Sequence, residues 1–208
     1  MNKARIDHIV WVVPDLEEGI DIFEDLTGVK AVIGGRHEAF GTMNALAGLG
    51  DGAYFEILTL DPNSKVEGPR WMGANHITRP RITRWAIKTN DISNQAQYLS
   101  KHNPQMSQIR EGQRTMTDGN VLSWSLTMPL PEPMIEVVPF LLDWTRSAHH
   151  PSQRLKADCS IIDLELYHSK PEKVSDVLES LGCRERLEKG DTRIALSLRT
   201  PKGHITIT

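Results

Sequence analysis

The hydrophobic pattern of residues 5–20, RIDHIVWVVPDLEEGI, falls into two alternating sets. Ile9, Trp11 and Val13 point one way, and Ile6, His8, Val10 and Val12 the other. Apolar residues on both faces predict a strand covered on both sides, which leaves His8 on a largely apolar face. A helix follows. Asp15 is a natural N-cap with Glu18 three residues later, Leu16, Ile20 and Phe23 make one apolar stripe, and Gly28 supplies the C-terminal stop. Short strands come next around KAVIGG, TMNALAGLG and AYFEILTLD, the last two joined through Gly50-Asp51-Gly52. The unit reads β-α-β-β-β.

The same order of signals returns twice. ITRWAIKTNDISNQAQYLSKHNP is an apolar strand, an Asp91 cap and a helix with Ile92, Ala96 and Leu99 on one face, with strands expected near QIREGQRTM, NVLSWSLTM and MIEVVPFLLDW. CSIIDLELYHSKPEKVSDVLESLG begins a third round, with Ser169 as its cap and Gly182 as its stop. The cap residues 15, 91 and 169 are 76 and 78 positions apart, a regularity that marks an internal repeat. After the third helix there is room only for a hairpin turning at Pro201-Lys202-Gly203. The expected organisation is therefore residues 1–152 as two paired units (about 5–61 and 82–144), followed by a truncated βαββ half-module over 153–208. The connection 61–81, rich in Pro, Gly and aromatic or basic residues, is long enough to cover a site.

Composition narrows the function classes. A net charge of −3 and a pI near 6.2 argue against a nucleic-acid footprint or a basic membrane patch. No apolar run approaches the roughly 20 residues that span a bilayer, and MNKARIDH runs straight into a strand, so the expected address is cytoplasmic. Two cysteines, Cys159 and Cys183, make no disulfide framework and are expected to be reduced. No phosphate loop or nucleophile elbow is present.

Tandem units of this length, with His on the first strand and Glu on the fourth, resemble the vicinal oxygen chelate superfamily of glyoxalase I, extradiol dioxygenases and bleomycin-resistance proteins. The finer resemblance is to the glyoxalase-like domain family, at IDHIVWVVPDL, GGRHEAFGTMNAL, YFEIL and PFLLDW followed by HHP, over roughly residues 5–152. It implies an α+β fold in which tandem βαβββ modules form an open, barrel-like mixed sheet around one central site, with the third module trailing. It is weak for the reaction, because this scaffold hosts many chemistries.

The resemblance places His8 and Glu56 side by side on the concave face. Glu56 shares its strand face with Tyr54, Leu58 and Leu60, and a carboxylate in such company is paired or bound to metal. One imidazole and one carboxylate make half of a divalent-metal site; a hydrogen bond that merely satisfies two buried groups is the competing reading. His37, after a double glycine, is a third metal ligand or a general acid/base, with Asn44 orienting substrate, and the set His8, His37 and Glu56 would suit Zn, Mn, Ni or Fe with open positions. The second unit departs from the four-ligand pattern of glyoxalase I-like proteins. Its equivalent of His8 is Arg84, which cannot bind a metal and could form a buried ion pair with Glu136 or anchor a substrate carboxylate. Its equivalent of Glu56 is Glu136 or Asp143, with Glu136 preferred. Arg114 could hold an anionic group and Trp124 could stack on a flat substrate, while Trp144 and His150 read as packing. The expected function is a lyase- or isomerase-type enzyme acting on a carbonyl or vicinal-oxygen compound, with divalent-metal assistance. A metal-free protein binding an antibiotic or aromatic compound is the alternative, and an extradiol dioxygenase a third. The expected partner is a small-molecule substrate or ligand, not nucleic acid or membrane, and a homodimer is left open.

Overall fold

The computed structural model describes residues 3–115 and 121–208, apart from the side chains of Arg114 and Thr115. The first unit is β1 (Arg5–Val12), α1 (Leu16–Thr27), β2 (Val32–His37), β3 (Thr42–Gly48) and β4 (Tyr54–Leu60). The second is β5 (Arg81–Lys88), α2 (Ile92–His102), β6 (Ile109–Thr115), β7 (Val121–Thr127) and β8 (Phe140–Asp143). The third is β9 (Ser160–His168), α3 (Ser175–Ser180), β10 (Arg186–Lys189), β11 (Arg193–Thr200) and β12 (Gly203–Ile207).

Units one and two share an eight-stranded sheet in the order β2-β3-β4-β1-β5-β8-β7-β6, and its edge strands β2 and β6 curl into contact. At its centre β1 and β5 run antiparallel, with Ile9 opposite Trp85. The pairs Val10–Arg84 and His8–Ala86 are exchanged by adding 76 to one number and subtracting it from the other, so a local two-fold relates the halves at the spacing of the caps. The Asp15 carboxylate accepts the Glu18 N–H at 2.9 Å and Gly28 closes α1 at φ 77°, both as the sequence predicts. Gly50, Asp51 and Gly52 all take positive φ in the β3–β4 turn, a run that glycine makes affordable.

Three local expectations are corrected. The run MIEVVPFLLDW is a strand only over its last part, because Pro129, Pro131, Pro133 and Pro139 remove ladder donors around it. Glu136 therefore lies outside β8, and the strand-face comparison with Asp143 does not apply. Ser169 is not a helix cap: Pro171 opens a 3-10 turn over Pro171–Lys173, and α3 starts only at Ser175. The third unit holds one strand more than the expected hairpin. Its separate sheet, β10-β9-β11-β12, sets β10 parallel beside β9, an order unlike that of the first two units.

The large sheet has two apolar faces. On the outer one, Ile9, Trp11, Phe55 and Trp85 pack with α1, α2 and the third unit's Leu164, Leu166, Leu196 and Leu198 in one continuous core. On the inner one, Val10, Val12, Leu58, Ala86, Trp124 and Phe140 line the concavity. The alternation read from the sequence sorts these residues correctly except at Ile6. The pairing steps from Ile6–Ile87 to His8–Ala86, so Asp7 is an extra residue, a β-bulge. The bulge turns Ile6 to the outer core and brings Asp7 to the same side as His8. The two-fold repeats it: Trp11 pairs with Ile82, leaving Thr83 as the extra residue of β5.

Candidate active site

The concave face holds a cavity of about 440 Å³ of free space, its mouth included. Its polar walls are His8, His37, Asn44 and Glu56, and the rest is apolar, with Trp71, Trp124, Trp144, Tyr54 and Phe140 contributing rings. His8 stands at the centre. Its ring stacks on Tyr54 at 4.7 Å between centroids and meets the edge of Phe140 at 5.3 Å. Its Nδ1 lies 2.7 Å from Asp7 Oδ1 and its Nε2 3.4 Å from Glu56 Oε2.

Asp7 is fully buried, and its second oxygen accepts from the Trp144 indole N–H at 2.9 Å and lies 2.9 Å from His150 Nε2. Burial alone would raise this carboxyl, but hydrogen bonds from His150 and His8, with the charge of both rings, outweigh it and hold the group well below the usual carboxylate range. An ionised Asp7 fixes a proton on His8 Nδ1, so His8 Nε2 is the nitrogen offered to the cavity. A bare Nε2 facing a carboxylate would set two lone pairs against each other. A proton carried on Nε2 would instead face the Glu56 carboxylate across 3.4 Å.

A carboxyl depressed in the folded state adds stability that is fully present above its unfolded value of about 3.9 and is lost as pH falls toward the folded value. The parent is expected to lose stability below about pH 4 more steeply than Asp7→Asn, measured by urea unfolding at stepped pH. Parallel curves would show that the Asp7 cluster adds nothing in the acid range.

Glu56 is held from the other side by Asn44, whose amide donates to Oε1 at 2.5 Å. The same amide nitrogen is 3.5 Å from His37 Nε2, and His37 Nδ1 is 3.1 Å from Thr42 Oγ1, which also accepts the Trp71 indole N–H at 3.1 Å. His37, at the end of β2, thus lines the cavity with Asn44 between it and Glu56. Trp71 comes from the 61–81 connection, which covers one wall, and stacks on Phe40 at 3.8 Å.

The second unit does not mirror this chemistry. Register in the parallel pairs β1–β4 and β5–β8 sets Glu56 beside Val10 and Phe140 beside Ala86, so Phe140, not Glu136 or Asp143, holds the position equivalent to Glu56. Arg84 is buried, and its guanidinium donates to the carbonyls of Thr83, Leu130, Pro133 and Met134 at 2.6–3.0 Å. Burial pulls it down to about 10, against the opposing pull of Glu136 and Glu132. Arg84 is absent from the cavity wall. So is Glu136, whose carboxylate accepts the Val138 N–H at 2.9 Å and faces His102 at 3.8 Å. Asp143 accepts from the backbone and hydroxyl of Thr145. Trp124 lines the cavity and lies over Gly112 of β6, where a Cβ would collide with the indole. The Arg114 side chain lies outside the described residues.

These donors can be tested against a divalent metal. The Asp7 contact is the support a ligating imidazole needs, but only His8 and Glu56 meet. Their two-fold equivalents are a committed arginine and a phenylalanine, Asn44 separates His37 from Glu56, and the described residues contain no group of three or more His, Cys, Asp or Glu able to hold a metal. The residues do not fit the expected ligand set of His8, His37 and Glu56. Sequence reasoning passed over Asp7 and treated Trp144 and His150 as packing; the available signal was an acid beside a histidine within an apolar strand.

Two paired βαβββ units thus share a curled sheet around one cavity, with His8 on the first strand and Glu56 on the fourth. The glyoxalase-like domain family matches residues 6–182, and the chain belongs to that family. The match continues past the second unit through β9 and α3. No curated protein sequence matches the chain. Among solved structures, a hypothetical protein from Staphylococcus aureus is similar at 16% identity and TM-score 0.66, covering 91% of this chain and 88% of its own. Methylmalonyl-CoA epimerase from Mycobacterium tuberculosis is similar at 19% identity and TM-score 0.41, covering 66% of this chain and 86% of its own. No helix among the described residues is long and apolar enough to cross a membrane.

Proposed function

We propose that this chain is a lyase- or isomerase-type enzyme that moves a proton beside a carbonyl group, with His8 and Glu56 as its acid–base pair. The observation that carries the reading is the chain Asp7–His8···Glu56 facing a mostly apolar cavity. In the proposed step Glu56 takes the proton from the carbon next to the carbonyl. The C–H electron pair moves into the carbon–carbon bond, and His8 Nε2–H donates to the carbonyl oxygen as charge develops there. For an α-hydroxy carbonyl, Glu56 returns the proton to the former carbonyl carbon while the α-hydroxyl gives up its proton to become the new carbonyl, completing an isomerisation; departure of a β-substituent with its bonding pair completes an elimination. Asp7, itself held by Trp144 and His150, holds the His8 ring, and Asn44 holds Glu56.

The test follows exchange of the methylene protons of 2-hydroxyacetophenone in D2O by NMR. Glu56→Gln is expected to slow exchange by about 10²–10⁴-fold while unfolding close to the parent temperature. Exchange as fast as in the parent would overturn the assignment. The apolar wall supports a second reading, a binding protein without turnover. It predicts that the parent binds the ketone but exchanges no proton.

A further inference from the structure

We propose that the cavity selects an uncharged, flat, ring-bearing compound and that a polar tail of this ligand leaves between His37 and Trp124 into the adjoining groove. Only the carbonyl in that compound rests on the acid–base reading above; the preference for charge and shape stands on the walls.

Charge comes first. Among the described residues no lysine or arginine lines the cavity. Arg84, the buried cation nearest in the repeat, spends its donors on backbone carbonyls. A carboxylate or phosphate seated here would be desolvated beside Glu56, and the central imidazole, His8, already faces two carboxylates, Asp7 and Glu56. A neutral ring meets instead the planar faces of Trp71, Trp124 and Trp144, whose shapes reward flat ligands.

The exit is a separate observation. His37 and Trp124 line the cavity and also a second concavity of about 840 Å³ of open space between the 37–40 turn and strands β6 and β7. That groove is polar, with Gln113, Ser123 and the Glu111–Arg146 pair at 2.8 Å. The two spaces therefore share walls while differing in polarity: a largely apolar chamber beside a more polar groove, with His37 and Trp124 at their border. An amphipathic ligand matches both, with its ring inside and a hydrogen-bonding chain outside.

The test is binding rather than turnover. Three of the five tryptophans line the cavity, so ligand occupancy is expected to quench intrinsic fluorescence. 2-Hydroxyacetophenone should quench saturably, and phenylglyoxylate, of similar size but carrying a carboxylate, should bind at least about tenfold more weakly. Glu56→Gln should narrow that gap. A para-triethylene-glycol ether of the ketone should bind the parent at least as well as the untailed ketone. Gly112→Ala, which displaces the Trp124 ring without touching the acid–base pair, should weaken the tailed ligand by about tenfold more than the short one. Equal or tighter binding of phenylglyoxylate, or no saturable quenching by the ketone, overturns the selectivity. Rejection of the tailed ketone by the parent overturns the exit. A ketone that binds without proton exchange removes the acid–base reading and leaves the ligand class standing, so the two fail separately.

Discussion

Arg84→Met is expected to cost about 3–5 kcal/mol of folding stability, the loss typical of breaking a buried charged contact on one side. The guanidinium ties together the carbonyls of Leu130, Pro133 and Met134, a stretch whose prolines cannot join a ladder. Methionine fills the volume but donates nothing: the Leu130 carbonyl keeps the Met72 N–H at 3.1 Å, while the Pro133 and Met134 carbonyls lose the guanidinium, and each buried acceptor left without a partner costs about 1–3 kcal/mol. Arg84→Lys should recover little, because one ammonium cannot reproduce a planar fork of five donors. Urea midpoints at constant slope read the effect. A midpoint within error of the parent for Arg84→Met would show that the loop holds itself.

The second large effect concerns the C-terminal unit. A chain ending at residue 158 is expected to lose its cooperative thermal transition. Leu164, Leu166, Leu196 and Leu198 belong to the same core as Ile9, Trp85 and Phe23, so removal bares the outer face of the central strands. It also removes a helix cap. α1 has no basic residue in its last turn, and Lys202 of the β11–β12 turn supplies one from a distance, donating from Nζ to the Asp25 carbonyl at 2.7 Å. Calorimetry of the fragment beside the full chain decides it. A sharp transition within about 5 °C of the parent would show that the first two units fold alone.

Much of this architecture was legible in the residues because helix caps and apolar stripes are local signals. Asp15, Gly28 and the 76-residue spacing marked the first two units and even the axis between them. Three things were not legible. The stretch before Phe140 looked like strand from its apolar content, but its role is set by prolines and by a distant guanidinium. The sheet order of the third unit depends on which side β10 docks, which no local pattern encodes. The Asp7 cluster was hidden because period-two counting assigns neighbours to opposite faces, and a bulge breaks that count by one. His8 and Glu56 were visible as polar residues in apolar strands. The Asp7 partners Trp144 and His150, 137 and 143 residues away along the chain, were not.

The paired bulges have a historical consequence. Both halves carry the same kink, at Asp7–His8 and at Thr83–Arg84, yet one copy serves the cavity and the other clamps a loop. If the halves arose by duplication, they have since divided the labour, and the division works like a ratchet. Because Arg84 clamps the 130–134 stretch, histidine at that position would take the guanidinium from the Pro133 and Met134 carbonyls before any new ligand set could form. The asymmetry of the site is therefore locked by folding rather than by chemistry, and descendants of this chain can retune the His8 half far more freely than they can restore the other.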